Sequence, residues 1–298
     1  MTNAQMISAL IEKNTGADGV FSTVLPGVFL LRASHPGEPV QTFYEPSFSY
    51  VANGRKRISF GSFQVTCEPS TALAVSVGLP ACGEVILASP QRPFLGLRVE
   101  LRQTTLEEMR GFLTLRPASR LKPGTGLMQP SGFLEDALLR TVQLLDKPND
   151  AKVIWPLLER EITYHLLSQG DNPFGNQLPA TLHRFNAVVR AANYFRSQFR
   201  KAVGPVDAAR RTGEKTETLA RDFKRVTGMS VGDYIRSLRL QEGRRLLMLG
   251  IDDITRLSQA VGYRTVTKFI NDYTEAFKGT PHEDARRRRR SLTIIHEE

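Results

Sequence analysis

The sequence predicts an α+β protein of two domains: a β-barrel or double-sheet roll with a helical hairpin, then an all-α domain. The chain has 298 residues, long enough for two cores, and its 41% hydrophobic and 23% charged composition is typical of soluble globular proteins. Residues 20–101 contain short runs of Val, Phe, Leu and Ile separated by Pro and Gly, whereas from residue 183 onward the pattern is entirely helical.

The net charge of the chain is concentrated in its second, helical part. Residues 1–180 contain 16 basic and 16 acidic side chains, whereas residues 181–298 contain 24 and 14, which is the whole net charge of +10. A polyanionic partner is therefore expected to bind the second part of the chain.

The N-terminal part begins with a short amphipathic helix around Ile7, Leu10 and Ile11. The strand-like segments that follow are GVFLLRAS, SFSYVANGRKRISF, SFQVTCEPSTALAVSV, GEVILAS and FLGLRVEL. Asn53-Gly54 predicts a hairpin, because both residues tolerate positive φ. GRKR, residues 54–57, would form its charged end or capture an anionic effector.

A helix is predicted over residues 104–115, and a Pro- and Gly-rich loop over 116–132. Two apolar-periodic helices follow, around Phe133–Leu145 and Val153–Leu167. This pair either mediates homodimerisation or closes its own domain. SQGDNPFGNQLPAT then predicts a linker between domains 1–180 and 183–298.

Six helices are predicted in the second domain, over residues 184–200, 205–212, 216–226, 231–249, 253–261 and 265–277. Two stretches share one pattern, in which a glycine, Gly213 or Gly262, separates two short helices as in a helix-turn-helix. Leu219 and Phe223 in one unit, and Phe269 and Tyr273 in the other, are four residues apart and should pack inward.

The outward faces of the second helices are the candidate double-stranded DNA contacts. These residues are Lys215, Thr216, Glu217, Thr218, Arg221, Arg225, Thr265, Thr267 and Lys268. The helix between the units is about 27 Å long if it has about 18 residues, close to the roughly 34 Å between successive major grooves on one face of DNA. Its arginines, among them Arg236 and Arg245, would face phosphates or pair with acids.

The chain also resembles a known family. RDFKRVTGMSVGDYIRSLRLQEGRRLL followed by VGYRTVTKF is similar to the DNA-binding domain of AraC-type transcription regulators. LPGVFLLRAS, YEPSFSYVANGRKRISFG, VSVGLP, ASPQRPFLGLRVEL and PLLEREITYHLL resemble the cupin-like N-terminal domain of one branch. The resemblance implies a sequence-specific regulator whose cupin-like domain binds a small-molecule effector or dimerises, and which contacts RNA polymerase if it is an activator.

Several of the candidate contacts have an alternative role. Arg221 would bind a guanine edge, or else a phosphate or solvent. The threonines would touch a base or phosphate, or cap their own helix. Lys268 would bind a phosphate. The run Arg286–Arg290 is a solvated tail or adds affinity through counterion release.

The sequence argues against an enzyme, a metal site or a cofactor. Of five histidines only His35 falls in the strand region, and no P-loop, GxSxG or GxGxxG context is present. Cys67 and Cys82 are expected to be core residues, or else a thiol sensor of electrophiles. No signal peptide or membrane span is predicted, so we expect a cytoplasmic protein with no membrane partner.

Two other functions remain open. Glu214, Glu217, Asn271 and Asp272 place acidic or neutral groups where DNA contact favours cations, and Asn271 stands where the family usually has arginine. The chain would then be a protein–protein regulator with a degenerate DNA surface. The third hypothesis is a metal-dependent cupin-type enzyme.

Overall fold

The computed structural model describes residues 1–113, 121–169, 173–174 and 179–286. Its contacts divide the chain into two compact units. The first unit is Met1–Val189 together with Asp222–Gly228, and the second is Arg190–Arg221 together with the residues from Met229 onward.

The β-strands of the described residues all belong to the first unit. They are β1 (Gly19–Ser22), β2 (Val28–Ala33), β3 (Val40–Tyr44), β4 (Ser47–Asn53), β5 (Arg55–Phe60), β6 (Phe63–Cys67), β7 (Ala72–Val75), β8 (Leu79–Leu87), β9 (Phe94–Glu100) and β10 (Thr125–Met128). They form a six-stranded sheet in the order β1-β2-β9-β4-β7-β10 and a four-stranded sheet in the order β3-β8-β5-β6. Every pairing is antiparallel. The α+β class and the cupin-like double-sheet domain are therefore confirmed.

Two local predictions in this region are wrong. Asn53-Gly54 does not close a hairpin, because β4 and β5 lie in different sheets and the chain crosses between the sheets at this turn. The Asn53 amide donates a hydrogen bond to the Pro93 carbonyl across that crossing (2.5 Å). The segment predicted as a loop over 116–132 contains β10, which pairs with β7.

The helices of the first unit pack against the outer face of the six-stranded sheet and against each other. They are α1 (Asn3–Thr15), α2 (Gln103–Arg110), α3 (Gly132–Gln143) and α4 (Pro148–Ser168), with a 3₁₀ turn at Leu144–Asp146. Ile7 and Ile11 of α1 share one apolar core with Leu97 of β9 and Leu138 of α3. The predicted helical hairpin is α3 and α4, and Pro148 begins α4 because proline fits the first turn of a helix.

The remaining helices follow in the second half of the chain. They are α5 (Pro179–Gln198), α6 (Pro205–Thr212), α7 (Thr216–Thr227), α8 (Val231–Met248), α9 (Ile254–Ala260) and α10 (Val266–Phe277). Residues 281–286 add a final helical segment. Among the described residues, no helix combines the length and the apolar character needed to cross a membrane.

The first unit includes the end of α7, Asp222–Gly228. The backbone amide of Ser62, in the turn between β5 and β6, donates to the Gly228 carbonyl (3.1 Å). The amide of Gly124 donates to the Val226 carbonyl (2.8 Å). Backbone hydrogen bonds therefore tie this short segment to the strands around it.

Candidate nucleic-acid interface

The first helix-turn-helix consists of α6 and α7. At the start of α6, the Gly204 amide donates to the Asp207 carboxylate (2.9 Å), which satisfies one of the exposed backbone donors of that helix end. At its end, Gly213 has φ +74° and its amide donates to the Ala209 carbonyl (3.0 Å). This left-handed cap turns the chain sharply, so that α7 begins three residues later.

The second helix-turn-helix consists of α9 and α10. Its turn contains Gly262 with φ +93°, where a Cβ would lie 2.5 Å from the Arg200 carbonyl oxygen. Only glycine fits so close to another backbone. After the turn, the rings of Tyr263, Phe269 and Tyr273 pack in sequence, with centroids 5.3 Å and 5.6 Å apart. These rings join Leu247 of α8 in one core.

The helix α7 has one buried and one exposed side. Leu219 and Phe223 are 1% and 0% exposed, as their spacing predicted. Asp222 is also buried and accepts a hydrogen bond from the Arg184 guanidinium Nε (2.7 Å). The exposed side carries Arg221 and Arg225, which are four residues apart and therefore share a face.

The N-terminus of α10 presents a polar face. Thr265 is the N-cap, and its hydroxyl accepts from the Lys268 amide (3.4 Å). Thr267, Lys268 and Asn271 are exposed on the first two turns. Asp272 does not lie on this face, because it is 6% exposed and accepts hydrogen bonds from the Lys268 ammonium (2.7 Å) and the Tyr263 hydroxyl (3.1 Å).

Seven of the nine predicted contact residues are exposed and two are half-buried. The exposed ones are Lys215, Glu217, Arg221, Arg225, Thr265, Thr267 and Lys268; the half-buried ones are Thr216 and Thr218. The structure therefore places them where an external partner can reach them. Glu214 is also half-buried, so of the two glutamates near α7 only Glu217 is fully on the surface.

The arginines of α8 are bound by protein groups. Arg239 donates to the carbonyls of Phe199 (2.7 Å) and Lys201 (2.8 Å), just beyond the C-terminus of α5. Arg245 donates to the Glu242 carboxylate (2.7 Å). Arg236 and Arg244 pair with acids too: Asp233 lies 3.1 Å from the former and Asp284 lies 3.5 Å from the latter. The sequence predicted that these arginines either face phosphates or pair with acidic residues. In the structure Arg236, Arg244 and Arg245 pair with acidic residues, and Arg239 binds backbone carbonyls.

A basic cleft of about 890 Å³ lies beside the start of α10. The cationic residues that line it are Arg200, Arg236, Arg239, Arg264 and Lys268, with Asp272 as the acidic residue among the lining side chains. Arg264 was not among the sequence candidates, although it is exposed and immediately precedes the N-cap. Its position directly before the N-cap is the sequence signal that could have identified it, since phosphates bind at helix N-termini.

The remaining sequence candidates are a basic run near the end of the chain and the cysteines. Arg286 is exposed at the end of the described chain, and residues 287–290 of the basic run lie outside the described residues. Cys67 is buried, and burial raises the pKa of its thiol to about 11, which disfavours the reactive thiolate that a sensor requires. Within the described ranges, no three His, Cys, Asp or Glu side chains form a group able to hold a metal ion.

A chain with a double-sheet domain followed by two helix-turn-helix units is, by class, a two-domain helix-turn-helix transcription regulator. The family model for the N-terminus of AraC-type transcriptional regulators matches residues 24–173, half of the chain, and a helix-turn-helix domain model matches residues 208–287. The chain therefore belongs to the AraC-type transcriptional regulators.

Curated relatives match only in part. The HTH-type transcriptional activator RhaS of Pectobacterium carotovorum is 38% identical over 64 residues, 22% of this chain and 23% of that protein. The uncharacterized HTH-type transcriptional regulator YobQ of Bacillus subtilis is 37% identical over 54 residues, 18% of this chain and 22% of that protein. The matches thus span less than a quarter of the length of these relatives.

Solved structures of ToxT from Vibrio cholerae share the fold. The apo form of a single-residue variant has a TM-score of 0.55 at 11% identity and covers 89% of this chain and 98% of that one. The unsaturated fatty acid bound wild-type form has a TM-score of 0.53 at 12% identity, with coverage of 87% and 93%. At such low identity the likeness concerns the fold alone.

Proposed function

We propose that the protein is a transcription regulator that binds specific double-stranded DNA sites through the exposed faces of α7 and α10. The observation that carries this proposal is that each helix-turn-helix has a buried apolar side and an exposed side with basic groups, joined on α10 by the exposed hydroxyl groups of Thr265 and Thr267. Residues 183–298 form the DNA-binding domain in this proposal, and residues 1–180 the effector and dimerisation domain. The proposal includes no enzymatic activity, and its DNA partner places the protein in the cytoplasm.

In the proposed interface Arg221 binds a base edge or a phosphate, and Arg225 extends the same face of α7. On α10, Thr267 and Lys268 lie on the first turn, where major-groove contacts of a helix-turn-helix are made. The helix α8 has 18 residues, which corresponds to about 27 Å. This length supports engagement of two successive major-groove segments by the two helix-turn-helix motifs.

We also propose that a small effector bound in the N-terminal domain changes DNA binding. Strand β5 carries Lys56 and Ile58, both of which line a cavity between the two sheets. The same strand leads into the turn where Ser62 bonds to the Gly228 carbonyl at the end of α7. A ligand that shifts β5 would therefore act on the segment Asp222–Gly228.

Homodimerisation is proposed through the exposed face of α4. Val153 and Leu157 are 68% and 56% exposed and four residues apart, so they form one apolar row. Tyr164 and, on the neighbouring helix, Phe133 are also exposed. A second copy of the chain would cover this row, and RNA polymerase would be a further partner if the protein is an activator.

Selection of bound DNA from a random pool by the purified protein tests the DNA-binding proposal. We expect one recurring sequence, and binding to it should weaken by about 1–3 kcal/mol in Arg221→Ala. Arg210→Ala is the matched control, because Arg210 is an exposed arginine on α6, outside the proposed contact face. If the pool yields no preferred sequence, or if both variants weaken binding equally, sequence-specific recognition through α7 is excluded.

A second function is supported by one observation on α10. The ammonium of Lys268 pairs with Asp272, and Asn271 beside it is neutral, so this unit has little free positive charge on its first two turns. A protein–protein regulator with a degenerate DNA surface would show this pattern. In the same selection, such a protein would enrich no sequence, while the purified chain would still bind a protein partner.

A further inference from the structure

A cavity of about 330 Å³ lies between the two sheets of the first unit. Most of its lining is apolar, and the side chains of Leu31, Val51, Ile58, Val85 and Phe94 belong to it. Its volume is at the small end of the range for small-molecule sites, and such sites combine apolar walls with a few placed polar groups. The nature of those polar groups determines which ligand fits.

Arg98 is one of the residues that line this apolar cavity. Its Nε is buried and has no hydrogen-bond partner among the described residues. The guanidinium lies over the Phe29 ring, 4.5 Å from the centroid, and its Nη2 is 3.6 Å from the Glu100 carboxylate, beyond hydrogen-bond length. The side chain is 18% exposed, so the charge is largely removed from water without a full set of partners.

Ser49 adds a second unsatisfied polar atom beside Arg98. The two residues are register partners on β4 and β9, and both line the cavity. The Ser49 hydroxyl is buried and also has no hydrogen-bond partner among the described residues. Buried polar atoms without a hydrogen-bond partner are rare in native proteins, and an acceptor placed beside Ser49 and Arg98 would satisfy both groups.

Lys56 contributes a cation from the opposite sheet. Its chain runs over Gly83, where a Cβ would lie 3.0 Å from the lysine Cε and 3.5 Å from its Nζ. Gly83 thus leaves room for this side chain inside the cavity, and both residues line it. The cavity therefore has a cationic residue on each of two facing walls, Arg98 and Lys56, with Glu38 as the acidic residue of its lining.

We infer that this cavity binds an organic carboxylate with an apolar body. The carboxylate accepts from the Arg98 guanidinium and the Ser49 hydroxyl, the Lys56 ammonium adds favourable charge, and the body fills the space between the apolar walls. A guanidinium suits a carboxylate because its planar fork donates two parallel hydrogen bonds. This inference rests on the proposed effector response and specifies the chemical class of the effector.

Isothermal titration of the full-length protein with matched probes tests the inference without DNA. Octanoate and 3-phenylpropanoate present aliphatic and aromatic bodies, and their primary amides are neutral counterparts of the same shape. We expect at least one carboxylate to bind roughly tenfold or more tightly than its amide, the amount expected for a charge-assisted hydrogen bond. If each amide binds as well as its acid, or if neither acid binds, the inference is wrong.

Variants locate the site. Arg98→Gln should abolish the preference for acid over amide, whereas Arg55→Gln should retain it, because Arg55 is an exposed arginine of β5 that is not part of the cavity lining. Retained preference in Arg98→Gln would contradict the assignment. If Arg98→Gln fails to fold, the comparison of acid and amide binding in the unmodified protein still tests whether the cavity prefers a carboxylate. DNA binding by the same preparation is measured separately, so failure of the carboxylate site and failure of the proposed regulator function give different results.

Discussion

The ammonium of Lys268 lies 2.7 Å from the carboxylate of Asp272, one turn further along α10. The lysine side chain is 65% exposed and the aspartate side chain 6% exposed, so a buried anion holds a surface cation. Tyr263 donates to the other oxygen of the same carboxylate (3.1 Å). The residue expected to bind a phosphate is therefore engaged within its own helix.

Replacing Asp272 with Asn should release Lys268 for DNA. We expect the dependence of DNA affinity on salt to steepen by about one unit of slope, because one more phosphate is neutralised. The unfolding free energy should fall by less than about 1 kcal/mol, since the exposed Lys268 ammonium is solvated when its partner is removed and Asn can still accept from Tyr263. Fluorescence anisotropy at several salt concentrations measures the slope. The double variant Asp272→Asn with Lys268→Gln should return the slope to the wild-type value. An unchanged slope in the single variant would show that Asp272 does not compete with DNA for Lys268.

Thr265 caps α10, and substitution separates this role from a DNA contact. Thr265→Ala should lower the unfolding free energy by about 1 kcal/mol, because the first turn loses its hydroxyl acceptor. Thr265→Ser retains the hydroxyl and should restore that stability. Urea unfolding of both variants provides the measurement. If Thr265→Ala is as stable as Thr265→Ser while its DNA affinity is lower, Thr265 contacts DNA and its N-cap hydrogen bond does not stabilise the protein.

Arg239 is expected to stabilise the protein through the carbonyls of Phe199 and Lys201. Arg239→Met should lower the unfolding free energy by roughly 1.5–3 kcal/mol, because charged hydrogen bonds to backbone carbonyls are lost. Arg239→Lys should recover only part of it, since an ammonium lacks the guanidinium fork. A phosphate contact would give the opposite pattern, with unchanged unfolding and a shallower salt slope of DNA binding.

Much of the helical half could be predicted from the sequence because its signals are local. The apolar spacing of Leu219 and Phe223 identified the buried side of α7, and Gly213 and Gly262 identified the turns. Each depends on residues within a few positions of one another, which is the range over which helical periodicity acts. The predicted bounds of α6 match those of the structure.

The sheet pairings could not be predicted in the same way. Asn53-Gly54 signals a change of direction correctly, but a turn signal does not specify which strands pair afterwards. The strands β1 and β10 have four residues each, too short for a clear alternating pattern. These two segments are strands because they pair with β2 and β7, respectively. Such pairing cannot be deduced from the residues of the segments themselves.

In the candidate site, too, local features could be predicted from the sequence and contacts between distant residues could not. Exposure of Arg221 followed from helical spacing, whereas the partners of Arg239 are 40 and 38 residues away in sequence. Asp272 was expected to add negative charge to the outward face, but Tyr263 and Lys268 hold it in the interior. Side-chain partners that depend on tertiary packing are therefore the part that sequence reasoning did not reach.

The thiol of Cys67 should be unreactive in the folded protein. Burial is the main reason that its pKa is raised to about 11, so little thiolate exists at a pH of about 8. We expect the thiol reagent DTNB to label at most one thiol rapidly, that of the half-buried Cys82. Cys67 should be labelled only when the protein unfolds. The variant Cys67→Ala should leave the rapid phase unchanged. Rapid labelling of both thiols in the native protein would show that the buried environment opens readily.

The carboxylate of Glu242 gives a pH dependence of stability. Hydrogen bonds from Arg245, together with one from Arg200, lower its pKa below the usual 4.5, although burial opposes the shift. Because the folded-state pKa is depressed, the stabilisation is complete above the unfolded pKa and is lost as pH falls through the folded one. Unfolding of wild type and Glu242→Gln should therefore differ most at a pH of about 6 and converge towards a pH of about 3. Glu217→Gln, which removes an exposed carboxylate on α7, is the control and should show no such convergence; a constant gap between wild type and Glu242→Gln across this range would contradict the ion-pair assignment.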